Sequence, residues 1–238
     1  MDVIIFAGGA GTRMRPLVAA PIPKHLIPVG DYPLIYHVLQ TAVRGGASRL
    51  LLSLNGPHPE LTIETVTAFN LPIPVAYTHT NNAFSNGPAH DLYRLKPWVR
   101  ANKPVGIMLA DAYFNVPIDF IGKPAPHVWT MTLPPEVDAS QFGQVIGPEK
   151  QVQALYEKPA KEQSRVILTG ATKLPFDVFA RTQALCHSHS QELHLGDVIK
   201  TYVADGSLRH TLLPTGAFID CGNRTAWNQA QLDRTSRL

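Results

Sequence analysis

Short apolar runs alternate with longer mixed stretches along the first half of the chain. Val3–Ala7, Arg49–Leu54, Val75–Thr78 and Gly106–Leu109 read as strands, and Pro33–Arg44, Glu60–Phe69 and Pro88–Val99 between them read as helices. Strand, helix, strand, helix predicts a parallel sheet covered on both faces. In such sheets ligands gather beyond the carboxyl ends of the strands. Gly8 and Asp111 each fall just past a predicted strand, so one cleft should receive both.

The rhythm changes after about residue 125. Val128–Leu133, Gly143–Ile146, Val152–Tyr156 and Val166–Thr169 read as short strands joined by turns. Phe176–Leu185 and Leu195–Ala204 read as helices, Arg209–Leu213 and Ala217–Asp220 as returning strands, and Arg224–Asp233 as a closing helix. No linker separates the halves. A single domain over residues 1–238 is expected, with about 1–125 as one half and about 126–238 as a second lobe grown from the same sheet.

Composition narrows the class. With 238 residues, 45% apolar and 16% charged, the chain suits one substantial core with a modest lobe. The net charge is +3 and the pI about 8.9, but Lys and Arg are dispersed, which speaks against nucleic acid or a membrane surface as partner. No apolar stretch reaches membrane-spanning length, and the chain enters a strand at residue 2, so no signal peptide is expected. Cys186 and Cys221 are the only cysteines, which fits a reducing cytoplasm. The 21 prolines fall between apolar runs and imply short, rigid connections.

The densest chemical signal is residues 3–29, VIIFAGGAGTRMRPLVAAPIPKHLIPV. A strand ends at Ala7 and runs into Gly8, Gly9 and Gly11. Thr12, Arg13 and Arg15 follow, then Lys24. Bare backbone amides form a nest for oxyanions, a guanidinium forks two oxygens, and an ammonium acts as a point charge; together these suit a polyphosphate. The dinucleotide pattern GxGxxG fails at Met14, and Pro16, Pro21 and Pro23 forbid the helix it needs. The Walker pattern fails because no lysine precedes Lys24. GGAGTR followed by PKHLIPV resembles the signature of the sugar-1-phosphate nucleotidyltransferases, GGxGTRLxP and PKxLxPV. Only Met14 departs, a change that conserves volume.

The resemblance extends along nearly the whole chain. Leu109-Ala110-Asp111 resembles the family's LGD, and Asp220 in GAFIDCG its late G-x-x-x-D-x-G segment. From the residues alone, Asp111 is equally a turn cap or a metal ligand, and Asp220 reads first as a turn residue. The resemblance implies that both hold Mg²⁺. Glu157-Lys158-Pro159 resembles the EKP motif, whose lysine holds the sugar phosphate and whose glutamate binds sugar hydroxyls. Phe142-Gly143-Gln144-Val145 resembles YGVV, with Gln144 offering an added polar contact. Thr169-Gly170 resembles the sugar-contacting turn. Glu192-Leu193 with Asp197 resembles an E-L-x-x-x-D segment at the sugar site, though Glu192 is equally a helix-start charge. Gly87 resembles the glycine under the nucleobase. Residues 80–85 lack the usual base-reading pattern; Asn81 or Asn82 is left to read a base edge. His187, His189 and His194 lie close in sequence, but Ser188, Ser190 and Gln191 make a polar loop rather than a zinc pattern.

The resemblance therefore implies a Rossmann-like α/β/α sandwich with a mostly parallel central sheet, a nucleotide-binding half and a smaller sugar-binding lobe. The implied reaction takes an NTP and a sugar 1-phosphate to an NDP-sugar and pyrophosphate, with Mg²⁺ as cofactor. Ala7, Gly8, Gly9, Gly11, Thr12, Arg13, Asn82 and Gly87 would bind the nucleotide, and Gly143, Glu157, Lys158, Gly170 and Glu192 the sugar. Arg13, Lys24, Asp111 and Lys158 would act at the phosphates. Family members are often dimers or tetramers, so a homo-oligomer is open. Two other readings stand beside this one: a regulatory subunit that binds nucleotide sugars without turnover, and a cytidylyltransferase acting on a phosphoalcohol.

Overall fold

The computed structural model describes residues 1–8, 22–56, 58–79, 87–188 and 193–235. A nine-stranded sheet runs through both halves of the chain. Its backbone is β1 (Asp2–Phe6), β4 (Arg49–Ser53), β5 (Val75–Thr78) and β6 (Val105–Leu109), in the order β6-β1-β4-β5 and all parallel. The long β11 (Val166–Leu174) continues the sheet antiparallel to β6 and also pairs with β8 (His127–Thr132) and β9 (Gln144–Ile146). β12 (Arg209–Leu213) lies parallel to β8, and β10 (Ala154–Tyr156) antiparallel to β9. Only β10 and β11 oppose the common direction, so the sheet is mostly parallel, as expected.

Alternation along β1 shows why both faces are covered. Val3 and Ile5 pack on one side with α1 (Leu34–Arg44), while Ile4 and Phe6 pack on the other with α3 (Pro88–Arg94) and α5 (Leu195–Ala204). Side chains that alternate along a strand feed two cores only when helices lie on both faces. α2 (Pro59–Ala68) adds to the α1 side, and α4 (Val178–Ser188) to the other. At the amino end of the sheet the buried Asp2 carboxylate accepts from Arg49 Nη2 at 2.6 Å and from the Arg100 backbone N–H at 2.7 Å.

Two elements and two short ladders differ from the sequence expectation. The helix from Pro88 stops at Arg94 rather than Val99, and a 3₁₀ turn at Lys96–Trp98 follows. Pro97 lacks the amide proton that would continue the i→i−4 ladder of the helix. β11 runs on to Leu174 instead of ending at Thr169, with a bulge between Leu168 and Thr172 where Gly170 has φ +77°. The polar run from Thr169 to Lys173 gave no strand signal; flanking strands on both sides hold it extended. Two short ladders were also not expected: β2 (Pro28–Val29) with β3 (Tyr32–Pro33), and β7 (Ala112–Phe114) with β13 (Phe218–Asp220). α6 (Arg224–Thr235) closes the fold against β13.

Gly45 caps α1 where the chain passes under the Ile118–Phe120 turn. A Cβ at Gly45 would lie 2.2 Å from the Ile118 carbonyl oxygen and 2.9 Å from Phe120 Cδ2. Neither the backbone oxygen nor the buried ring has room to give. Gly45→Ala should therefore lower unfolding stability by about 1–3 kcal/mol, read as a lower urea midpoint with an unchanged m-value.

Candidate active site

The carboxyl ends of β1 and β6 emerge side by side. Phe6 is in register with Leu109, and the Ala110 N–H donates to the Phe6 carbonyl at 3.0 Å. Gly8 and Asp111, each two residues further on, thus leave the sheet at the same edge. A Cβ at Gly8 would lie 3.2 Å from Asn55 Cβ, and Asn55 in turn donates to the buried Asp91 carboxylate. Gly9, Gly11, Thr12, Arg13, Asn82 and Glu192 lie outside the described residues. Gly87 is buried with φ +102° and starts α3, a backbone that disfavours any side chain.

Asp111 sits in the two-residue turn between β6 and β7. The β7–β13 ladder pairs Ala112 with Asp220, and the Cys221 N–H donates to the Asp111 carbonyl at 3.0 Å. The ladder thereby brings together two carboxylates 109 positions apart by their numbers, Asp220 on β13 and Asp111 in the turn that leads into β7. Both act on the buried Cys221 thiol, whose pKa is raised by burial first and then by Asp220 and Asp111. Asp220 Oδ1 accepts from the Gly222 N–H at 3.0 Å, which fixes the carboxylate's orientation. Lys24 closes the group: its ammonium forms an ion pair with Asp111, both side chains being under a fifth exposed. Lys24 opens a 3₁₀ turn held to α2 by the next residue, buried His25, whose Nε2 lies 2.8 Å from Thr62 Oγ1.

Asp111, Asp220 and Lys24 line a cavity of about 590 Å³. Gly143, Glu157, Lys158, Gly170, His194 and Gly196, all from the second half of the chain, line the same cavity. Glu157 and Lys158 follow β10. Lys158 has φ +40°, a strained backbone for a residue with a side chain, and reaches the cavity from an exposed position. Burial raises the Glu157 pKa, opposed by Lys158 and His194. Gly170, at the β11 bulge, would set a Cβ 3.0 Å from Leu109 Cδ1.

Gln144 corrects an expectation. It is fully buried, its amide donating to the Ala139 carbonyl at 2.8 Å and its oxygen accepting from the Gln163 and Ser164 N–H groups at 2.7 and 2.9 Å. Its polar contacts brace two loops behind the cavity rather than a ligand. Asp197 caps α5, accepting from the His194 N–H at 2.9 Å. His187 ends α4 and His194 faces the cavity; His189 lies outside the described residues. The sequence reading passed over His194 and Gly196 as cavity residues, because only the acids of ELHLGD carried the resemblance. A glycine at the second helical position was the signal available.

Among the described residues no three or more His, Cys, Asp or Glu side chains gather as a metal cluster. Asp111 and Asp220 nevertheless offer hard oxygen donors of the kind Mg²⁺ takes when phosphates and water complete its shell.

Fold and site together describe a Rossmann-like α/β protein with an ion-handling cleft at the carboxyl edge of its sheet. The chain matches the family described as Nucleotidyl transferase over residues 2–237 and belongs to it. It is 24% identical over 228 residues to the UTP–glucose-1-phosphate uridylyltransferase AglF of Haloferax volcanii, covering 93% of this chain and 91% of that one. It is 28% identical to a glucose-1-phosphate thymidylyltransferase of Actinoplanes sp., covering 93% and 74%. A UDP-glucose pyrophosphorylase crystallised with UDP-glucose has the same fold, with a TM-score of 0.82 at 18% identity over 100% of this chain and 99% of that one.

His25 makes a pH prediction. Burial lowers its pKa from 6.5 to about 4. Between those values the unfolded chain binds a proton that the native chain refuses. Stability is therefore full above about pH 6.5 and falls as the pH drops toward about 4. His127, also lowered to about 4, adds to the same window. Urea melts across this range should show His25→Asn losing one proton's worth of slope and keeping the rest. A slope equal to wild type would mean that His25 protonates inside the fold.

Proposed function

We propose that the chain transfers a nucleotidyl group from an NTP to a sugar 1-phosphate, giving an NDP-sugar and pyrophosphate. The observation that carries this reading is one cavity lined together by Lys24, Asp111 and Asp220 and by Glu157 and Lys158. The names of the relatives agree with it. Residues of about 1–125 would hold the nucleotide and those of about 126–238 the sugar. The two cysteines, and the lack among the described residues of any helix long and apolar enough to cross a membrane, are compatible with a cytoplasmic enzyme.

The acceptor oxygen is ionised at neutral pH and needs no general base. It forms a bond to the α-phosphorus in line as the bond to the pyrophosphate oxygen breaks, and the electron pair leaves with pyrophosphate. The protein's task is to position two anions and neutralise their charge. Ala7, Gly8, Gly9, Gly11 and Thr12 would offer backbone amides, and Arg13 its guanidinium, to the departing β- and γ-phosphates. Lys24 would stand at the α-phosphate, Lys158 would orient the sugar phosphate, and Glu157 with Gly143, Gly170 and Glu192 would meet the sugar. Asn82 and Gly87 would meet the base. Asp111 and Asp220 would hold Mg²⁺, which when bound neutralises phosphate charge.

Pyrophosphate release measured over a matrix of NTPs and sugar 1-phosphates should require one of each together. Release from an NTP with phosphocholine, and with no sugar phosphate, would sink the sugar reading. Arg13→Ala and Asp111→Asn should each lower turnover by about 10²–10³-fold, with wild-type melting curves; wild-type turnover in either removes that residue from its assigned role.

A further inference from the structure

We propose that Gly196 is a positioning residue: its missing side chain seats the Glu157 carboxylate in the cavity wall and so sets how well the sugar half of the acceptor is held. The sugar consequence rests on the function proposed above; the seat itself does not.

The geometry is specific. A Cβ at Gly196 would lie 2.0 Å from Glu157 Oε2, 2.8 Å from its Cδ and 3.4 Å from its Cβ. A Cβ at Gly143 would lie 3.0 Å from the same Oε2. The carboxylate therefore lies in a slot between two glycines, one in the first turn of α5 and one ahead of β9. Gly143, Glu157, His194 and Gly196 all line the cavity. Shape holds the group, since no hydrogen bond from the described residues reaches this carboxylate. A largely buried carboxylate with acceptor capacity to spare and an open cavity beside it suits ligand hydroxyls.

Gly196 also works against its own helix. Glycine is a poor helix former and alanine the best, so a glycine in this first turn weakens α5. Gly196 lacks the positive φ that would demand glycine. Room for Glu157 is what the local structure gains in exchange. The atoms that an added methyl would strike belong to the mobile end of a side chain, not to backbone. Gly196→Ala should thus leave the fold intact and move Glu157.

The test uses the full chain. First, the Glu157 carboxyl carbon is followed by NMR through a pH titration. In wild type it titrates above an ordinary glutamate, and in Gly196→Ala it moves back toward the ordinary value, with a melting temperature equal to or above wild type. An unmoved titration overturns the seat, whatever the enzyme's substrate. Second, kinetics with glucose 1-phosphate as probe should show its KM raised about tenfold or more, with kcat falling less and the NTP KM unmoved. In a Glu157→Ala background the same substitution should add nothing; a further rise there would show that Gly196 acts without Glu157 and overturn the proposal. A displaced titration with an unchanged KM for a sugar phosphate that wild type uses would overturn the sugar consequence alone.

Discussion

Two carboxylates pressed into one part-buried space are the constraint on which this cleft is built. The β7–β13 ladder brings Asp220 beside the turn that carries Asp111, and like charges so placed repel unless a cation joins them. Lys24 supplies that cation in the protein alone, through its ion pair with Asp111. Such a pair gains little net stability, because desolvating both ions offsets most of their attraction. Its value is positional. It draws the PKHLIPV segment onto the carboxyl edge of the sheet, where His25 and Thr62 hold it from behind.

The Glu157 slot obeys a different rule. There a single carboxylate is held by shape, with glycines on either side and no described hydrogen bond to anchor it. Burial makes its charge costly, so it is stabilised by whatever donors enter the cavity. Lys158, strained at φ +40°, sits next to it. A strained backbone beside a desolvated carboxylate marks a place where the fold gives up local stability for position. Gln144 shows the contrasting case. An equally polar residue two positions before Ile146 is fully satisfied by loop backbone, and it faces away from the cavity.

Much of this was legible in the chain. The buried runs at β1, β4 and β6 announce themselves because strands covered on both faces must be apolar throughout. The exit points at Gly8 and Asp111 follow from where those runs stop. Other features left no such trace. β7 is three residues long, too short for a periodic signal, and although residues 217–220 read as a strand, no local pattern pairs them with β7 to make the acidic site. The second half of β11 is polar, and only its neighbours on both sides hold it as a strand. The slot around Glu157 joins positions 143, 157 and 196, and no motif spans them.

By itself the sequence determined the strand–helix alternation, the family signature at residues 3–29 and the chemical types available to the site, because these rest on local periodicity and on side-chain chemistry. Tertiary structure alone decided which of those groups meet. Asp111 and Asp220 are joined by a ladder between distant segments, Lys24 by an ion pair with Asp111, and Glu157 by the absence of two side chains. Each depends on backbone placed by the whole sheet, and proximity between distant segments is not encoded in any local pattern.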